Sequence, residues 1–425
     1  MEENQVYIPD GWHLKQVQEF AVKMRSGGTP KSDNPNYYNG EIPFVAIDDL
    51  TSANKYLEKT QKHITKEGLI NSSAWLVPIN SLMYSIYATL GVPRINLIEA
   101  ATNQAILNLI PDTNKITLEF LYYLLLEKRS TILAHSAHTT QSNLNAKVVK
   151  ELEFVFPKST TEQTTIANIL SKTDQAIADI EALITKYTQI KAGLMQDLLT
   201  KGIDENGNIR SEQTHKFKDS PLGRIPQEWA SEKLSKYGFF TKGYSIAKSN
   251  LSDNGVSCVL YGEIYTKYNF YADTFYSKVP YEIVKDKTPL EYGDILFAGS
   301  GETHKDIGKC IAFIGSELTY AGGDIIIFRT NKFNPIFLSY FLNSFIVEKQ
   351  KAALGQGSSV IHIYPDHLKQ LIVVHFDIEE QNKIVEIIKN ADKHISTLKT
   401  ELSKLLSIKT GLMQDLLTGK VRVEI

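Results

Sequence analysis

One ten-residue segment occurs twice in this sequence, and its repetition limits what the chain can fold into. Lys191–Thr200 reads KAGLMQDLLT, and Lys409–Thr418, 218 positions later, reads KTGLMQDLLT. The two copies differ only at Ala192, which is replaced by Thr410. A long internal repeat at a constant register indicates that one structural unit is present in two copies.

The repetition extends from this segment into the rest of the chain. Glu162-Gln163 aligns with Glu380-Gln381 at the same offset, and Pro9-Asp-Gly-Trp12 returns as Pro226-Gln-Glu-Trp229 after 217 positions. Weaker matches pair Phe44–Asp49 with Cys258–Glu263 and Ser81–Ser85 with Gly293–Phe297. The sequence therefore predicts a tandem duplication in which the helical parts are similar and the globular parts have diverged.

The repeated segments end two regions that have a heptad pattern. In the first region, apolar residues alternate steps of four and three, and Lys191 occupies one of the core positions. The other residues of this stripe are Ile166, Leu170, Ile177, Ile180, Ile184, Tyr187, Leu194 and Leu198. The second region keeps the same phase, with Lys409 at the equivalent position. The pattern predicts two long helices that pack along an apolar seam, each spanning roughly 55 Å.

Short apolar segments occupy the remainder of each half. Ile42–Ile47, Leu82–Ile86 and Leu152–Phe156 are typical of buried strands, and Leu118–Leu133 is typical of a buried helix. A mixture of this kind predicts an α/β (α+β) fold. The predicted domains are two globular parts, residues 1–160 and 223–377, two helices, 161–200 and 378–425 with its tail, and a linker, 201–222.

Composition excludes several classes of protein. The chain is 42% hydrophobic and 22% charged, no apolar run approaches the ~18 residues of a membrane span, and the polar N-terminal segment is not typical of a signal peptide. We therefore expect a cytoplasmic protein that contacts no membrane. The net charge of −2 and the pI near 6.6 count against a strongly basic nucleic-acid binder, although a local basic groove is compatible with them.

The sequence carries no complete catalytic or metal-binding motif. The nearest phosphate-loop candidate ends at Gly308-Lys309, but Cys310 replaces the Ser or Thr that such a loop needs. Asn34-Pro-Asn-Tyr37 lacks the second proline of the amino-methyltransferase motif, so an Asn-Pro turn is the better interpretation. Gly299-Ser-Gly-Glu302 could hold a phosphate, but a strand–strand turn is the simpler interpretation. We predict no catalytic residue, no metal site and no cofactor bound by this chain.

These features together resemble the specificity (S) subunit of type I DNA restriction–modification systems. Each half opens with Pro-x-x-Trp and ends in a strand, a Glu-Gln pair and a helix that closes with Lys-x-Gly-Leu-Met-x-x-Leu-Leu. The segments Ser26–Pro30, Gly293–Phe297, Phe217–Pro226 and Gly419–Val423 also match the family pattern. The resemblance covers essentially the whole chain.

The resemblance implies that each globular half is a target recognition domain for one half of a bipartite double-stranded DNA site. It implies that the two coiled-coil helices pack antiparallel as a spacer, with a pseudo-twofold axis, and dock two methyltransferase (M) subunits, which two restriction (R) subunits join. S-adenosylmethionine, ATP and Mg²⁺ are then expected on the partners, and this chain is expected to be non-catalytic. The alternatives are a self-contained DNA methyltransferase or nuclease with degenerate motifs, or a coiled-coil assembly protein.

Candidate site residues follow from residue type and predicted location. The candidates for DNA contact in the first half are Lys31, Asn34, Asn36, Arg94, Asn103 and Gln104. Those in the second half are Lys242, Tyr244, Lys248, Lys305 and Lys309. The candidates for partner docking are Lys191, Leu194, Met195, Leu198, Lys409, Leu412, Met413 and Leu416. A lysine at a heptad core position is costly unless it reaches water or a partner, which favours docking at these helix ends.

Overall fold

The structure is a computed structural model, and the residues that it describes are 7–129, 133, 144 and 146–424. The chain forms two compact units. Unit 1 comprises Met1–Ala182 and Lys399–Ile425, and unit 2 comprises Leu183–Leu398. Two long helices, Thr160–Lys201 and Ile378–Leu417, each contribute one portion to unit 1 and the other portion to unit 2. Each unit is therefore assembled from both copies of the repeat.

Unit 1 contains one five-stranded sheet and two smaller sheets. In order across the large sheet, the strands are Ala21–Ser26, Ile106–Pro111, Leu82–Ser85, Pro93–Asn96 and Tyr56–Leu57. All four residues of the central strand Leu82–Ser85 are buried, as its apolar sequence predicts. The three-stranded sheet consists of Lys62–Ile64, Tyr38–Val45 and Ala101–Thr102, and a separate pair consists of Trp12–Gln16 and Glu153–Pro157.

The shorter helices of unit 1 cover these sheets in the described part of the chain. They are Ile47–Ser52, Lys66–Ile70, Leu118–Glu127 and Ala146–Glu151, with 3₁₀ turns at Val17–Glu19 and Pro35–Tyr37. Phe120–Leu125 are buried without exception, which confirms a buried helix in this region. The structure ends this helix at Glu127, with Lys128 as its C-cap, so the predicted continuation to Leu133 is not borne out there. Residues 130–132 and most of the polar stretch His135–Asn145 lie outside the described ranges.

Unit 2 repeats this arrangement with the same strand order. Its five-stranded sheet consists of Phe239–Lys242, Ile325–Arg329, Ile295–Ala298, Cys310–Phe313 and Tyr271–Ala272. Its three-stranded sheet consists of Ser277–Val279, Val256–Val259 and Thr319–Ala321. The paired strands are Ala230–Lys233 with Ile372–His375, Phe217–Ser220 with Gly223–Pro226, and Ser300–Gly301 with Ile361–His362. The identical order of the large sheets confirms the predicted tandem duplication.

The described helices of unit 2 also follow the order of unit 1. They are Tyr261–Thr266, Tyr281–Val284, Pro335–Leu342, Phe345–Leu354 and Pro365–Leu368, with 3₁₀ turns at Leu234–Lys236 and Lys248–Asn250. Pro335–Leu342 corresponds to the buried helix of unit 1, and all its residues after the proline are buried. An uninterrupted apolar sequence thus gives a fully buried helix in both units.

The structure corrects the predicted strand Ile42–Ile47, because its last residue begins the short helix Ile47–Ser52. The Asp49 carboxylate accepts hydrogen bonds from the backbone N–H of Ala46 at 2.8 Å and of Gln61 at 2.9 Å. A carboxylate that accepts the amide of the residue before a helix stabilises the helix start. The chain therefore leaves the sheet at this point although its residues favour a strand.

The segment predicted as a linker, 201–222, is an ordered part of unit 2. After the first long helix the chain turns at Gly202, whose left-handed φ of +62° suits the end of a helix. Arg210 is 7% exposed, and its guanidinium donates to the Glu380 carboxylate at 2.5 and 3.1 Å. Ile203 is buried and Leu222 packs against the same core, but polar contacts hold the stretch between them, so its sequence shows no periodicity.

The two long helices run antiparallel within each unit, with the predicted seam inward. In unit 1, Ile166 and Leu170 from the start of the first helix share a core with Leu416 from the end of the second. In unit 2, Ile384 from the start of the second helix shares a core with Leu198 from the end of the first. The heptad pattern therefore identified the buried stripe of both helices correctly.

A buried glutamine joins the start of each long helix to the globular part of its unit. Gln163 Nε2 donates to the carbonyl oxygens of Lys115 and Pro157, both at 2.9 Å, and its Oε1 accepts from the Thr117 N–H at 2.8 Å. Gln381 makes equivalent backbone bonds in unit 2, at 2.8 and 2.9 Å. These bonds explain why the Glu-Gln pair recurs in the repeat.

We expect Gln163→Leu to destabilise unit 1, because three backbone groups lose their hydrogen-bond partner. An unsatisfied buried group costs about 1–3 kcal/mol. Of the three bonds only the one to Pro157 is fully buried, so the expected loss is roughly 2 kcal/mol. Urea unfolding followed by circular dichroism measures this loss. Gln189→Leu, on an exposed position of the same helix, is the matched control. Equal stability of the two variants would contradict the role assigned to Gln163.

Candidate nucleic-acid interface

A turn that joins the three-stranded sheet to the five-stranded sheet lies at the same place in both units. We call it the connecting turn, residues 102–105 in unit 1 and 321–324 in unit 2. In unit 1 the Gly27 N–H donates to the carbonyl of the residue after the turn, at 3.1 Å, and the Gly28 N–H donates to the carbonyl of the first residue of the turn, at 2.9 Å. In unit 2 the Gly243 N–H makes the bond equivalent to that of Gly27, at 2.8 Å. A Cβ at Gly27 or Gly243 would stand 2.0 or 1.9 Å from a carbonyl oxygen of the turn, so only glycine fits.

In unit 1 the connecting turn brings two of the predicted DNA-contacting residues together. Asn103 Oδ1 accepts from the Ala105 N–H at 3.1 Å, and the Thr29 hydroxyl donates to Gln104 Oε1 in a short hydrogen bond. The Gln104 side chain is exposed. An open cavity of about 460 Å³ lies beside the turn and is lined by Thr29, Asn103 and Lys62 among others. The turn therefore presents an oriented amide next to an accessible polar cavity.

In unit 2 the connecting turn presents a carboxylate. Asp324 has a left-handed φ of +60°, its side chain is exposed, and its Oδ2 lies 2.6 Å from Ser300 Oγ. The same hydroxyl lies 2.9 Å from Nδ1 of His362. Sequence reasoning missed Asp324 and His362, and it considered Ser300 only as part of a possible phosphate-holding turn. The Gly-Gly-Asp sequence signals a turn, but only the pairing of strands Ser300–Gly301 and Ile361–His362 brings the serine and the histidine together.

The other DNA-contacting candidates of unit 1 divide into exposed and internally bonded residues. Lys31 and Asn36 are exposed, whereas Asn34 Oδ1 accepts from the Asn36 N–H at 3.1 Å and supports a local turn. Arg94 Nε donates to the Ala53 carbonyl at 2.9 Å, and burial lowers the pKa of its guanidinium. Arg94 lines a different cavity, of about 890 Å³, that shares no residue with the cavity beside the turn.

The candidates of unit 2 divide in the same way. Lys309 Nζ donates to the Tyr268 carbonyl at 3.0 Å, and burial lowers the pKa of its ammonium group, so it braces the fold. Tyr244 follows Gly243 beside the turn, and its hydroxyl accepts from the Thr288 N–H at 2.9 Å. The remaining candidates are exposed, namely Lys242, Lys248 and Lys305.

The two lysines at heptad core positions find their partners inside the chain. Lys191 Nζ is 2.5 Å from Asp392 Oδ1 within unit 2, and Lys409 Nζ is 2.6 Å from Asp174 Oδ1 within unit 1. A tyrosine hydroxyl of the buried helix in each unit donates to the same aspartate, at 3.2 and 2.7 Å. The two lysines therefore do not by themselves favour docking, because a carboxylate on the facing helix compensates each charge, and their role in docking stays a prediction.

The other docking candidates are less exposed than their neighbours. Leu198 and Leu416 are 0% and 4% exposed, so these two side chains stabilise their own units. The candidates that are partly buried against the same cores are Leu194, Met195, Leu412 and Met413. Ile190 and Ile408 occupy equivalent positions of the two helices and are 49% and 52% exposed. Sequence reasoning did not select this pair as a docking site because it ranked residues by their place on the heptad seam.

Two cysteines and the acidic residues offer no evident catalytic centre in the described part of the chain. Burial raises the pKa of the Cys258 and Cys310 thiols to about 11, which makes both poor nucleophiles near neutral pH. Across the described residues, no group of three or more His, Cys, Asp or Glu side chains is placed to hold a metal ion. The described helices include none that combines the length and the apolar character needed to cross a membrane.

Comparison with known proteins relates the chain to one family. Residues 9–192 match the model of the type I restriction modification DNA specificity domain. The chain is 25% identical to the MjaVIII type I restriction enzyme specificity subunit of Methanocaldococcus jannaschii, over 98% of this chain and 94% of that protein. It is 28% identical to the putative MjaX specificity subunit of the same organism, over 98% and 95%. The family model and both relatives are thus type I specificity domains or subunits, and the two relatives span nearly the whole chain.

A solved structure shows the same fold for such a subunit. The specificity (S) subunit of a type I restriction–modification system from M. genitalium covers 100% of this chain and 98% of its own length, with a TM-score of 0.52 and 16% identity. The fold class predicted from the sequence is thereby confirmed, and the relatives are of the kind that the sequence resemblance predicted. The matched family model describes a DNA specificity domain.

We expect Lys409→Met to lower the stability of unit 1 by about 1 kcal/mol, because methionine keeps the apolar stem and leaves Asp174 without its counter-charge. The estimate is modest because the two side chains are 24% and 27% exposed. Adding Asp174→Asn should recover most of the loss, since no carboxylate then remains unpaired. Urea unfolding of the single and double variants measures this coupling, and purely additive losses would contradict the ion-pair assignment.

Proposed function

We propose that this specificity subunit reads a bipartite DNA target, two half-sites around a nonspecific gap, with one unit on each half-site. The observation that carries the proposal is the connecting turn, which occurs once in each unit on the same strand framework. Its exposed side chain is an amide, Gln104, in unit 1 and a carboxylate, Asp324, in unit 2. Both groups pair with base edges in the major groove. One framework with two different side chains suits two half-sites of different sequence.

Exposed lysines of both units supply contacts to phosphate in this proposal. Phosphate contacts fix the register of a protein on the duplex and give most of the salt-dependent affinity. The lysines available for this role are Lys31, Lys242, Lys248 and Lys305. With a net charge of −2, the chain needs such local charges and help from positively charged partner surfaces.

The two long helices dock two methyltransferase subunits at equivalent surfaces. Ile190 and Ile408 support this part of the proposal, because each exposes an apolar side chain directly beside one copy of the repeated segment. Two restriction subunits then join the complex. S-adenosylmethionine, ATP and Mg²⁺ belong to these partners, and the specificity subunit acts in the cytoplasm as a scaffold without catalysis.

Selection from random duplex DNA tests the proposed DNA reading. The chain in complex with a methyltransferase subunit of its own genome should enrich two short constant segments, separated by a gap of constant length and variable sequence. Enrichment of one uninterrupted segment would contradict a bipartite target. The chain alone, incubated with labelled S-adenosylmethionine and mixed DNA, should transfer no methyl group. Methyl transfer by the lone chain would support a self-contained methyltransferase instead.

Ile190→Arg and Ile408→Arg should each remove one methyltransferase subunit from the complex, and the double variant should remove both. The reason is that a guanidinium replaces an apolar contact at each docking surface. Light scattering after size-exclusion chromatography measures the number of bound subunits.

Thr188→Arg is the matched control for these variants. It places the same charge on an exposed position of the same helix, about 200° around the axis from Ile190. The control should bind two methyltransferase subunits. Two bound subunits in the double isoleucine variant, or none in the control, would refute docking at these surfaces.

A further inference from the structure

We propose that Asp324 and His362, held together by Ser300, read the exocyclic amino group of an adenine or a cytosine in the half-site bound by unit 2. The inference rests on the proposed DNA reading and makes it specific. It assigns a hydrogen-bonding preference to three residues that the sequence alone does not connect. The preference for a donor on the base follows from which atoms of the cluster carry hydrogen-bonding protons and which do not.

Ser300 determines which atoms of the cluster donate and which accept. Its hydroxyl carries one proton and lies 2.6 Å from Asp324 Oδ2 and 2.9 Å from His362 Nδ1. A carboxylate can only accept, so the serine donates its proton to Asp324. The remaining contact requires that the imidazole carries its proton on Nδ1 and donates it to the serine oxygen. In the tautomer that this contact selects, the lone pair is on Nε2.

The outward-facing atoms of the cluster are consequently acceptors. Asp324 Oδ1 and His362 Nε2 have no hydrogen-bond partner among the residues that the structure describes. The Asp324 side chain is exposed and the His362 side chain is half-buried, whereas Ser300 is 3% exposed. The buried hydroxyl thus orients two accessible acceptors.

The backbone beneath the cluster is also held in place. The Gly299 N–H donates to the Asp324 carbonyl at 2.7 Å, and His362 exchanges two backbone hydrogen bonds with Gln356, at 2.7 and 2.9 Å. Groups that are oriented before binding lose less entropy when they bind. The cluster is therefore preorganised, as a group that discriminates between similar bases must be.

Two adjacent acceptors distinguish the bases by whether the major-groove edge of a base offers a hydrogen-bond donor or only acceptors. In the major groove, adenine N6 and cytosine N4 are donors, whereas guanine N7 and O6 and thymine O4 are acceptors. A carboxylate gains a hydrogen bond from the first two bases and meets a lone pair on the other two. A matched contact of this kind discriminates by about tenfold to a hundredfold. The cluster should therefore prefer adenine or cytosine at one position.

The negative charge gives selectivity rather than affinity. A carboxylate near DNA is repelled by phosphates, so it needs a matched donor and nearby positive charge. The exposed Lys305 lies on the loop that follows Ser300, and the exposed Lys242 precedes the glycine that packs against the turn. These lysines offset the repulsion without removing the preference for a donor.

The cluster does not have the geometry of a hydrolytic triad. In such a triad the histidine lies between the serine and the carboxylate and takes the serine proton. Here the serine lies between the other two and gives its proton to Asp324. The hydroxyl is therefore not activated as a nucleophile, and recognition is the chemistry that the arrangement supports.

Unit 1 provides an internal control for this assignment. Ala105 occupies the position in unit 1 that Asp324 occupies in unit 2. The Ala105 carbonyl accepts from the Ile86 N–H at 2.9 Å, and the Asp324 carbonyl accepts from the Gly299 N–H at 2.7 Å. Ile86 and Gly299 each directly follow the central strand of the large sheet. Unit 1 presents Gln104 instead, whose amide can both donate and accept. Its half-site should therefore not share the preference set by two acceptors.

Asp324→Asn tests the inference with little change in shape. The full chain and its methyltransferase partner are bound to a random duplex pool, and the selected sequences of the original chain and the variant are compared. The original chain should prefer adenine or cytosine over guanine and thymine at one position of one half-site. In the variant this preference should fall about tenfold, because the amide can also donate to guanine and thymine. The other half-site should not change.

Two further variants separate recognition from folding. Ser300→Ala should relax the preference at the same position, because it releases both acceptors, while total DNA affinity stays within about threefold. Gln104→Ala should change only the half-site of unit 1. Thermal unfolding midpoints equal to that of the original chain show that the variants are folded.

The outcomes distinguish this inference from the proposed function. A bipartite target that Asp324→Asn leaves unchanged would overturn the inference and leave the DNA reading intact. A preference for guanine or thymine at every position altered by Asp324→Asn would also overturn it. If the original chain selects no two-part sequence, the proposed function fails, and the inference fails with it.

Discussion

A buried carboxylate at the start of each long helix holds the segment that follows the other long helix, and each unit depends on this contact. In unit 2, Glu380 accepts from the Arg210 guanidinium at 2.5 and 3.1 Å and from the Ile203 N–H at 3.0 Å. In unit 1, Glu162 accepts from Arg422 at 2.7 and 3.0 Å. The Arg210 and Glu380 side chains are only 9% and 14% exposed. Removing one partner from a largely buried pair such as that of unit 2 costs about 3–5 kcal/mol. The Arg422 side chain is 42% exposed, so the pair of unit 1 contributes less.

This constraint explains which parts of the two copies stay alike. The helix end of each copy packs against a globular part that is built largely by the other copy. The same types of side chain make this contact in both units. The Glu-Gln pair, the ion pair between a heptad lysine and an aspartate, and the tyrosine that bonds this aspartate all occur in both units. A substitution of either member of the ion pair would remove a contact whose other partner, in the other copy of the repeat, had not changed. Among the described residues, the side chains of the connecting turn make no such contact between the two copies, so they are free to differ.

Periodicity predicted the elements whose contacts are local in sequence or repeat along a helix. The heptad seam, the buried helix and the central strand were predictable because apolar spacing alone decides which face is buried. The end of the strand at Ile47 was not, because Asp49 caps a helix there against the strand preference of its neighbours. The partner of Lys191 lies 201 positions away, and only the antiparallel register of the helices reveals it. The same limit hid the cluster around Ser300, whose histidine is 62 positions distant.

The framework and the recognition side chains are under different physical demands. At Gly243 any side chain would collide with a carbonyl oxygen of the connecting turn, so the framework excludes substitution there. Asp324 is exposed and contributes one side-chain bond, so its replacement costs the fold little, within about 0.5 kcal/mol for an ordinary surface site. Under the proposed function, a change at the turn alters which base is accepted while the unit stays folded and the contacts between its helices are kept. Globular parts that diverge on a constant helical frame are the expected result of that separation.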